Sequence, residues 1–205
     1  MTNVPERGRF VVFEGPDASG KTTQARRLAE RRGALFTREP GGTRIGEQIR
    51  DLLLDPTNAE MADRTEALLY AAARAQHVAE VIEPNLAAGC DVVCDRFVAS
   101  SLAYQGVGRE LGIDQVGGLS IFATAGLMPD LVVLVEVAVD VSLERLDGNH
   151  DRLEREGVRL LDQVNDAYRR LAAADPDRWA IVDGHGSVDD VAVRIDAVVE
   201  DRLGW

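Results

Sequence analysis

Gly15-Pro-Asp-Ala-Ser-Gly20-Lys21-Thr22 fits the pattern G-x-x-x-x-G-K-[ST]. Such a loop wraps a phosphate with successive backbone N–H groups, and its glycines permit the turn and the close approach. Lys21 would then reach the β- and γ-phosphates of a nucleotide, while the Thr22 hydroxyl would hold Mg²⁺. Gly15, Asp17, Ala18, Ser19, Gly20 and Thr23 complete the expected cradle. Lys21 is also the only lysine in the chain; every other cation among the 23 is arginine. An arginine here would be wider and planar, a poorer fit to the cradle. The loop implies ATP or GTP, but not what is done with it, because motors, switches and kinases share the pattern.

The elements that must position this loop are readable as apolar runs alternating with amphipathic stretches, the pattern of a parallel sheet flanked by helices. Phe10–Glu14 (FVVFE) is a buried strand leading into the loop, and Gly20–Arg32 a helix leaving it, with Ala25, Leu28 and Ala29 at helical spacing. Ala34–Thr37, Asp91–Cys94, the almost wholly apolar Leu131–Val137 and Trp179–Val182 supply four further strands. Ile45–Leu54, Met61–Ile82, Arg155–Ala174 and Val188–Leu203 read as helices, with Pro84 expected to close the long one. No repeat, low-complexity tract or linker interrupts the series, so residues 1–205 are expected to form one domain.

Bulk properties exclude some partners. A net charge of -12 argues against an extended nucleic-acid surface, which wants a basic face, but leaves room for a small anion held by a few local cations. No run approaches the length of a membrane span, and Met1–Arg9 is polar without an apolar signal core; a cytoplasmic protein is expected. Cys90 and Cys94, the only cysteines, are too far apart along one strand for a disulfide and are expected to be buried free thiols.

Several residues beyond the loop carry chemistry of their own. Tyr70 and Arg74 lie four apart on a helix and share a face, so a ring and a donor could meet one base. Taken singly, Tyr70 would serve equally in a core and Arg74 on a solvated face. Ser100 and Tyr104 share one helical face, Ser101 and Gln105 the next. Arg96 directly follows Asp95 at the carboxyl end of a strand, where open α/β sheets bind ligands and where a guanidinium fork suits phosphate.

Four ordered blocks give these residues a family. Thr37-Arg-Glu-Pro-Gly-Gly-Thr43, Leu68–His77, Asp95-Arg-Phe-Val-Ala-Ser-Ser-Leu-Ala-Tyr-Gln-Gly106 and Asp151-Arg-Leu-Glu154 resemble, in order, the motifs of bacterial thymidylate kinases. The resemblance runs from Phe10 to about Tyr168 and implies a three-layer P-loop fold, a five-stranded parallel sheet flanked by helices, with a short lid near 146–157. It implies transfer of the γ-phosphoryl group of ATP to dTMP. Tyr70 would stack on thymine and Arg74 would bond its O4; Ser101 and Gln105 would address the pyrimidine edge, with Ser100 beside them. Tyr104 would crowd the sugar C2′, and Asp17 would meet the 3′-hydroxyl, unless it is an ordinary loop aspartate. Arg96 would grip the acceptor phosphate, Arg50 would be a second phosphate or site-closing residue, and Glu39 and Pro40 would shape the floor. Thr22 and Asp95 would hold Mg²⁺, Asp95 directly or through water. A homodimer packed through long helices, using Met61–Ile82 or Gly112–Ala125, is implied by resemblance alone. Val182–Val188 is the expected adenine side.

The chain departs from the family at the lid. The usual R…R-G-x-x-D-R-I-E is replaced by Arg145-Leu-Asp-Gly-Asn-His-Asp-Arg152-Leu-Glu, which leaves Arg152 and then Arg145 as the expected catalytic arginines. A kinase for another pyrimidine monophosphate, or a nucleotide-binding protein that has lost catalysis, also fits the phosphate loop.

Overall fold

The computed structural model describes residues 6–138, 141–142, 152 and 158–205. Strands β1 (Phe10–Glu14), β2 (Leu35–Arg38), β3 (Val92–Asp95), β4 (Leu131–Glu136) and β5 (Trp179–Asp183) form one sheet in the order β2-β3-β1-β4-β5. Every pairing is parallel. The three inner strands are almost wholly apolar and buried because helices cover both faces. One face packs Ala25, Leu28 and Ala29 of α1 (Lys21–Arg32) and Val191, Ile195 and Val199 of the C-terminal helix Val188–Leu203 against Val11, Phe13 and Val133. The other face gathers Phe10, Val12, Phe97, Ala103, Val164 and Tyr168.

Between β2 and β3 lie α2 (Arg44–Leu54), α3 (Asp63–His77), a π-helical turn Val78–Ile82 and α4 (Glu83–Ala87). Pro84 therefore does not close the long helix as expected. It sits in the first turn of α4, where its missing N–H removes no helical bond and the preceding turn has already widened. Between β3 and β4 come α5 (Val98–Ser101), a second π-helical segment Leu102–Gly108, and α6 (Ile113–Thr124). Helices α7 (Val158–Ala174) and α8 (Val188–Leu203) flank β5. Among the described residues no helix is long and apolar enough to cross a membrane.

Cys94 is buried on β3, but Cys90 is exposed, against the expectation that both thiols are buried. The strand begins only at Val92, and Cys90 belongs to the turn before it, its N–H donating 2.9 Å to the Asn85 carbonyl. Most of the expected lid, with Arg145, lies outside the described residues; Arg152 lies within them.

Candidate active site

The phosphate loop sits between β1 and α1, its shape fixed by two glycines. At Gly15 (φ 145°) a Cβ would stand 2.5 Å from the Val135 carbonyl oxygen of the adjacent strand. Gly20 takes the left-handed conformation (φ 89°) that starts α1. Lys21 is buried, its Nζ donating 3.1 Å to the Pro16 carbonyl and lying 3.5 Å from Asp17. Burial and the neighbouring Arg96 pull its pKa below the ordinary value, against the attraction of Asp17, Asp95 and Glu14. The Thr22 hydroxyl donates to Asp95 Oδ2, whereas Asp95 Oδ1 and Ser19 Oγ are buried without a hydrogen-bond partner.

Next to the loop, at the carboxyl ends of β1 and β3, a cavity of about 570 Å³ opens to solvent. Its walls are Asp17, Glu39, Pro40, Arg50, Leu54, Tyr70, Arg74, Arg96, Phe97, Ser100, Ser101, Tyr104 and Gln105. The fold thus brings together every residue that the sequence assigned to an acceptor, drawing them from the loop, α2, α3 and the α5–π segment. The run from Val98 starts as α-helix and relaxes to π-helix at Leu102, and Ser100, Ser101, Tyr104 and Gln105 all face the cavity. Leu54 and Phe97 line it as well; Phe97 stands in the Asp95–Gly106 block but was given no role, and Leu54 had no signal beyond its apolar character.

At one end Arg96 holds an unusual backbone position, φ 69°, for a residue with a side chain. Glu14, the charge that ends β1, accounts for it. Its carboxylate accepts from Phe97 N (2.9 Å), Ser100 N (3.1 Å), Ser100 Oγ (2.6 Å) and Tyr168 OH (3.0 Å). Burial pushes the Glu14 pKa up, opposed by Arg96 and these bonds. Arg96 itself donates to Ser100 Oγ (2.9 Å), Tyr168 OH (3.1 Å) and Asp17 Oδ1 (2.5 Å). Tyr104 OH donates 3.0 Å to the other Asp17 oxygen. Burial acts to raise the Asp17 pKa, but Arg96 and Lys21 prevail and hold the carboxyl well below the usual range.

At the other end Arg74 is 2% exposed rather than on a solvated helix face. Its guanidinium donates to Glu39 (2.7 Å), Phe97 O (3.0 Å) and Ser101 Oγ (3.0 Å), which leaves Nη1 buried without a partner. Glu39 is steadied in turn by His77 at 3.0 Å, whose second nitrogen lies 2.6 Å from Thr37 Oγ1. Arg50 donates 2.9 Å to the Pro40 carbonyl across the cis Glu39–Pro40 peptide, and Tyr70 is half-buried. Arg152, expected at the phosphates, donates instead to the Leu53 carbonyl (2.8 Å) and Glu66 (2.5 Å), a buried acid that draws it as counter-ion. The adenine stretch Val182–Val188 is largely exposed around the Asp183–His185 pair.

Glu14, Glu66, His77 and Tyr168 were missed from the sequence. The one available signal was Glu14, a charged residue ending an otherwise apolar strand.

A phosphate loop beside a cavity with a guanidinium at one end and an unfilled donor at the other defines a nucleotide kinase of the P-loop class. The family model for thymidylate kinase matches residues 13–195. The thymidylate kinase of Lactobacillus helveticus is 45% identical over 207 residues, covering 96% of this chain and 98% of its own. That of Desulforudis audaxviator is 48% identical over 206 residues, covering 95% and 93%. The crystal structure of the thymidylate kinase of Ehrlichia chaffeensis superposes with a TM-score of 0.77 at 28% identity, covering 95% of this chain and 99% of that one. The chain belongs to the thymidylate kinase family.

If Glu14 holds the Arg96 turn, Glu14→Leu, which leaves the Phe97 and Ser100 amides without an acceptor, should lower stability by about 3 kcal/mol. Glu14→Gln, which keeps an acceptor for both amides, should lose clearly less. Denaturant midpoints compare them; equal losses would show that volume rather than hydrogen bonding is what Glu14 supplies.

Proposed function

We propose that this chain transfers the γ-phosphoryl group of ATP to the 5′-phosphate of dTMP, giving dTDP and ADP. The observation that carries the reading is the pairing of Arg96 beside the phosphate loop with the unpartnered Arg74 Nη1 across the same cavity. An acceptor spanning the two would present a phosphate to Arg96 and a base carbonyl to Arg74. Phosphoryl transfer asks chiefly for alignment and charge neutralisation. The acceptor is an anionic phosphate, nucleophilic without a general base. Its oxygen attacks the γ-phosphorus in line, the bond to the β-bridging oxygen breaks, and ADP leaves with that electron pair. Lys21 and Arg96 balance the charge on the transferring group, and Gly15, Ala18, Ser19, Gly20 and Thr23 frame the donor phosphates. Arg152, whose ion pair with Glu66 would have to open, and Arg145 are proposed to complete this as a lid near 146–157 closes over a single domain.

Thr22 and Asp95 would hold Mg²⁺, which would supply positive charge to offset that of the donor phosphates. The donor set fits that ion: a hydroxyl, a carboxylate oxygen buried without a partner, and no cluster of three acidic, cysteine or histidine ligands among the described residues. Mg²⁺ keeps waters and takes phosphate oxygens rather than an all-protein cage. Asp17 would meet the sugar 3′-hydroxyl, Tyr104 would exclude a ribose, and Tyr70 would stack on the base, with Ser100, Ser101, Gln105, Arg50, Glu39 and Pro40 completing the walls. A cytoplasmic homodimer belongs to the same proposal, with neither nucleic acid nor membrane as partner. Free Cys94 and exposed Cys90 support a reducing compartment. Exposed Leu68 on α3 and Ile121 and Phe122 on α6, at 57%, 63% and 87%, support packing between these helices and a second copy.

The substrate assignment is tested by Mg²⁺-dependent ADP release with dTMP, dUMP and dCMP. dTMP should have the highest kcat/KM, and Arg96→Ala should lower that value at least 100-fold. Nucleotide binding without ADP release would instead favour a binding protein. Acid behaviour separates enzyme from substrate. A carboxyl held below the usual range gives stability that is full above its unfolded pKa and lost only as pH falls through the folded one. Asp17 therefore stays ionised throughout the working range. Tyr104, whose pKa is raised by burial and then by Asp17, stays neutral. The acid limb of kcat/KM should fall to the acceptor phosphate, near pH 6. Asp17→Asn should slow the enzyme without moving that midpoint; a shifted midpoint would reassign the limb to Asp17. For the dimer, Phe122→Asp should shift the sedimentation coefficient from dimer to monomer.

A further inference from the structure

Glu66 lies on α3 with no exposure to solvent, and the phosphoryl-transfer scheme gives it no role beyond the ion pair that Arg152 would have to leave. One of its oxygens accepts from Gln105 Nε2 at 2.7 Å and from Arg109 Nε at 3.3 Å. The other accepts from Arg109 Nη2 at 3.1 Å and Arg152 Nη2 at 2.5 Å. Burial acts to raise its pKa, yet the bonds from Arg109, Gln105 and Arg152 hold it below the ordinary carboxylate value. An ionised carboxylate only accepts, so it must face the NH₂ group of the Gln105 amide. The carbonyl oxygen of that amide is then the acceptor left for the cavity that Gln105 lines. Arg74 lines the same cavity and carries, at Nη1, a buried donor without a partner.

We propose that Glu66 is a positioning residue for specificity: it fixes which way the Gln105 amide points, and so which pyrimidines the cavity accepts. The inference rests on the acceptor reading above. A donor at Arg74 beside an acceptor at Gln105 matches a base with a carbonyl at position 4 and N–H at position 3, as in thymine and uracil. Cytosine inverts both groups, an amino donor at position 4 and a bare nitrogen at position 3. A glutamine free to turn its amide would accept either pattern. One whose NH₂ is tied to a buried anion cannot turn without leaving that anion facing an oxygen.

Glu66→Gln tests this directly. Arg152 Nη2 and Arg109 Nη2 would keep the new carbonyl oxygen toward themselves at the cost of the long 3.3 Å contact from Arg109 Nε, so the new NH₂ would face Gln105 and turn its amide round. The ratio of kcat/KM for dTMP to that for dCMP should fall at least tenfold, mainly through a higher KM for dTMP. In the exchanged variant E66Q/Q105E the amide at 66 donates to a carboxylate at 105, which again offers the cavity only acceptors. Its ratio should stay within threefold of wild type. A merely structural Glu66 would lower both substrates together, and a ratio falling less than tenfold in E66Q overturns the proposal. So does a loss of more than threefold in the exchanged variant, which decides alone should E66Q fail to fold. Wild-type protein inactive toward dTMP would instead sink the acceptor assignment itself.

Discussion

A carboxylate without access to water must have its oxygens met by donors, and the turn after β3 is built around that requirement at Glu14. The acid stands at the end of the strand that feeds the phosphate loop, while its partners lie in the α5 turn and on α7. One side chain therefore ties the donor-binding loop to the segment that carries Arg96, Ser100, Tyr104 and Gln105. The left-handed backbone at Arg96 is tolerable because amides on its C-terminal side, those of Phe97 and Ser100, bond to Glu14. With that turn in place the guanidinium points back across β1 to Asp17 in the loop. The two halves of the site are thus registered by hydrogen bonds as well as by the packing of Phe97 on Phe10, and the bonds add direction to the distance that packing sets.

The same device recurs along the cavity with different acids. Glu39 directs Arg74, and Glu66 directs Gln105, each acid buried and each with a second partner of its own, His77 in one case and arginines in the other. A buried ion pair is weak evidence of net stability, because desolvation offsets much of the attraction. What such pairs supply here is direction. Arg74 spends its Nε and Nη2 donors on protein groups and keeps Nη1 unspent beside the cavity that it lines. A lysine, with its rotatable ammonium, would hold no such fixed remainder.

How far the sequence exposes this depends on the range of each interaction. The phosphate loop was legible because its chemistry lies in eight consecutive residues, and the strand–loop–helix context around it is equally local. Tyr70 and Arg74, or Ser101 and Gln105, were legible as pairs because helical spacing puts them side by side. Glu14 and Tyr168 are 154 residues apart and Glu66 and Arg152 are 86 apart, so no periodicity connects them. Pro84 failed as a helix terminator because one π-helical turn, invisible to a 3.6-residue period, made room for it. Cys90 was placed on the strand because alternation continues through it, whereas the turn from Asn85 holds its amide.

An acidic protein that takes two anionic nucleotides faces a field of the wrong sign, with a net charge of -12. Two facts make this tolerable. Surface charges more than about 8 Å away are largely screened at physiological ionic strength, so most of the acid count is not felt in the cleft. Within the cleft, the cations are held next to carboxylates that entering phosphates must compete with, as Asp17 is held at Arg96. The desolvation of Arg96 is therefore already met in the fold, and a phosphate arriving there as proposed would exchange one anionic partner for another rather than strip water from a bare guanidinium. A fully basic cleft would bind any polyanion. One whose charges are already paired rewards only a ligand that offers geometry as well as charge, at Arg96 and Arg74 together.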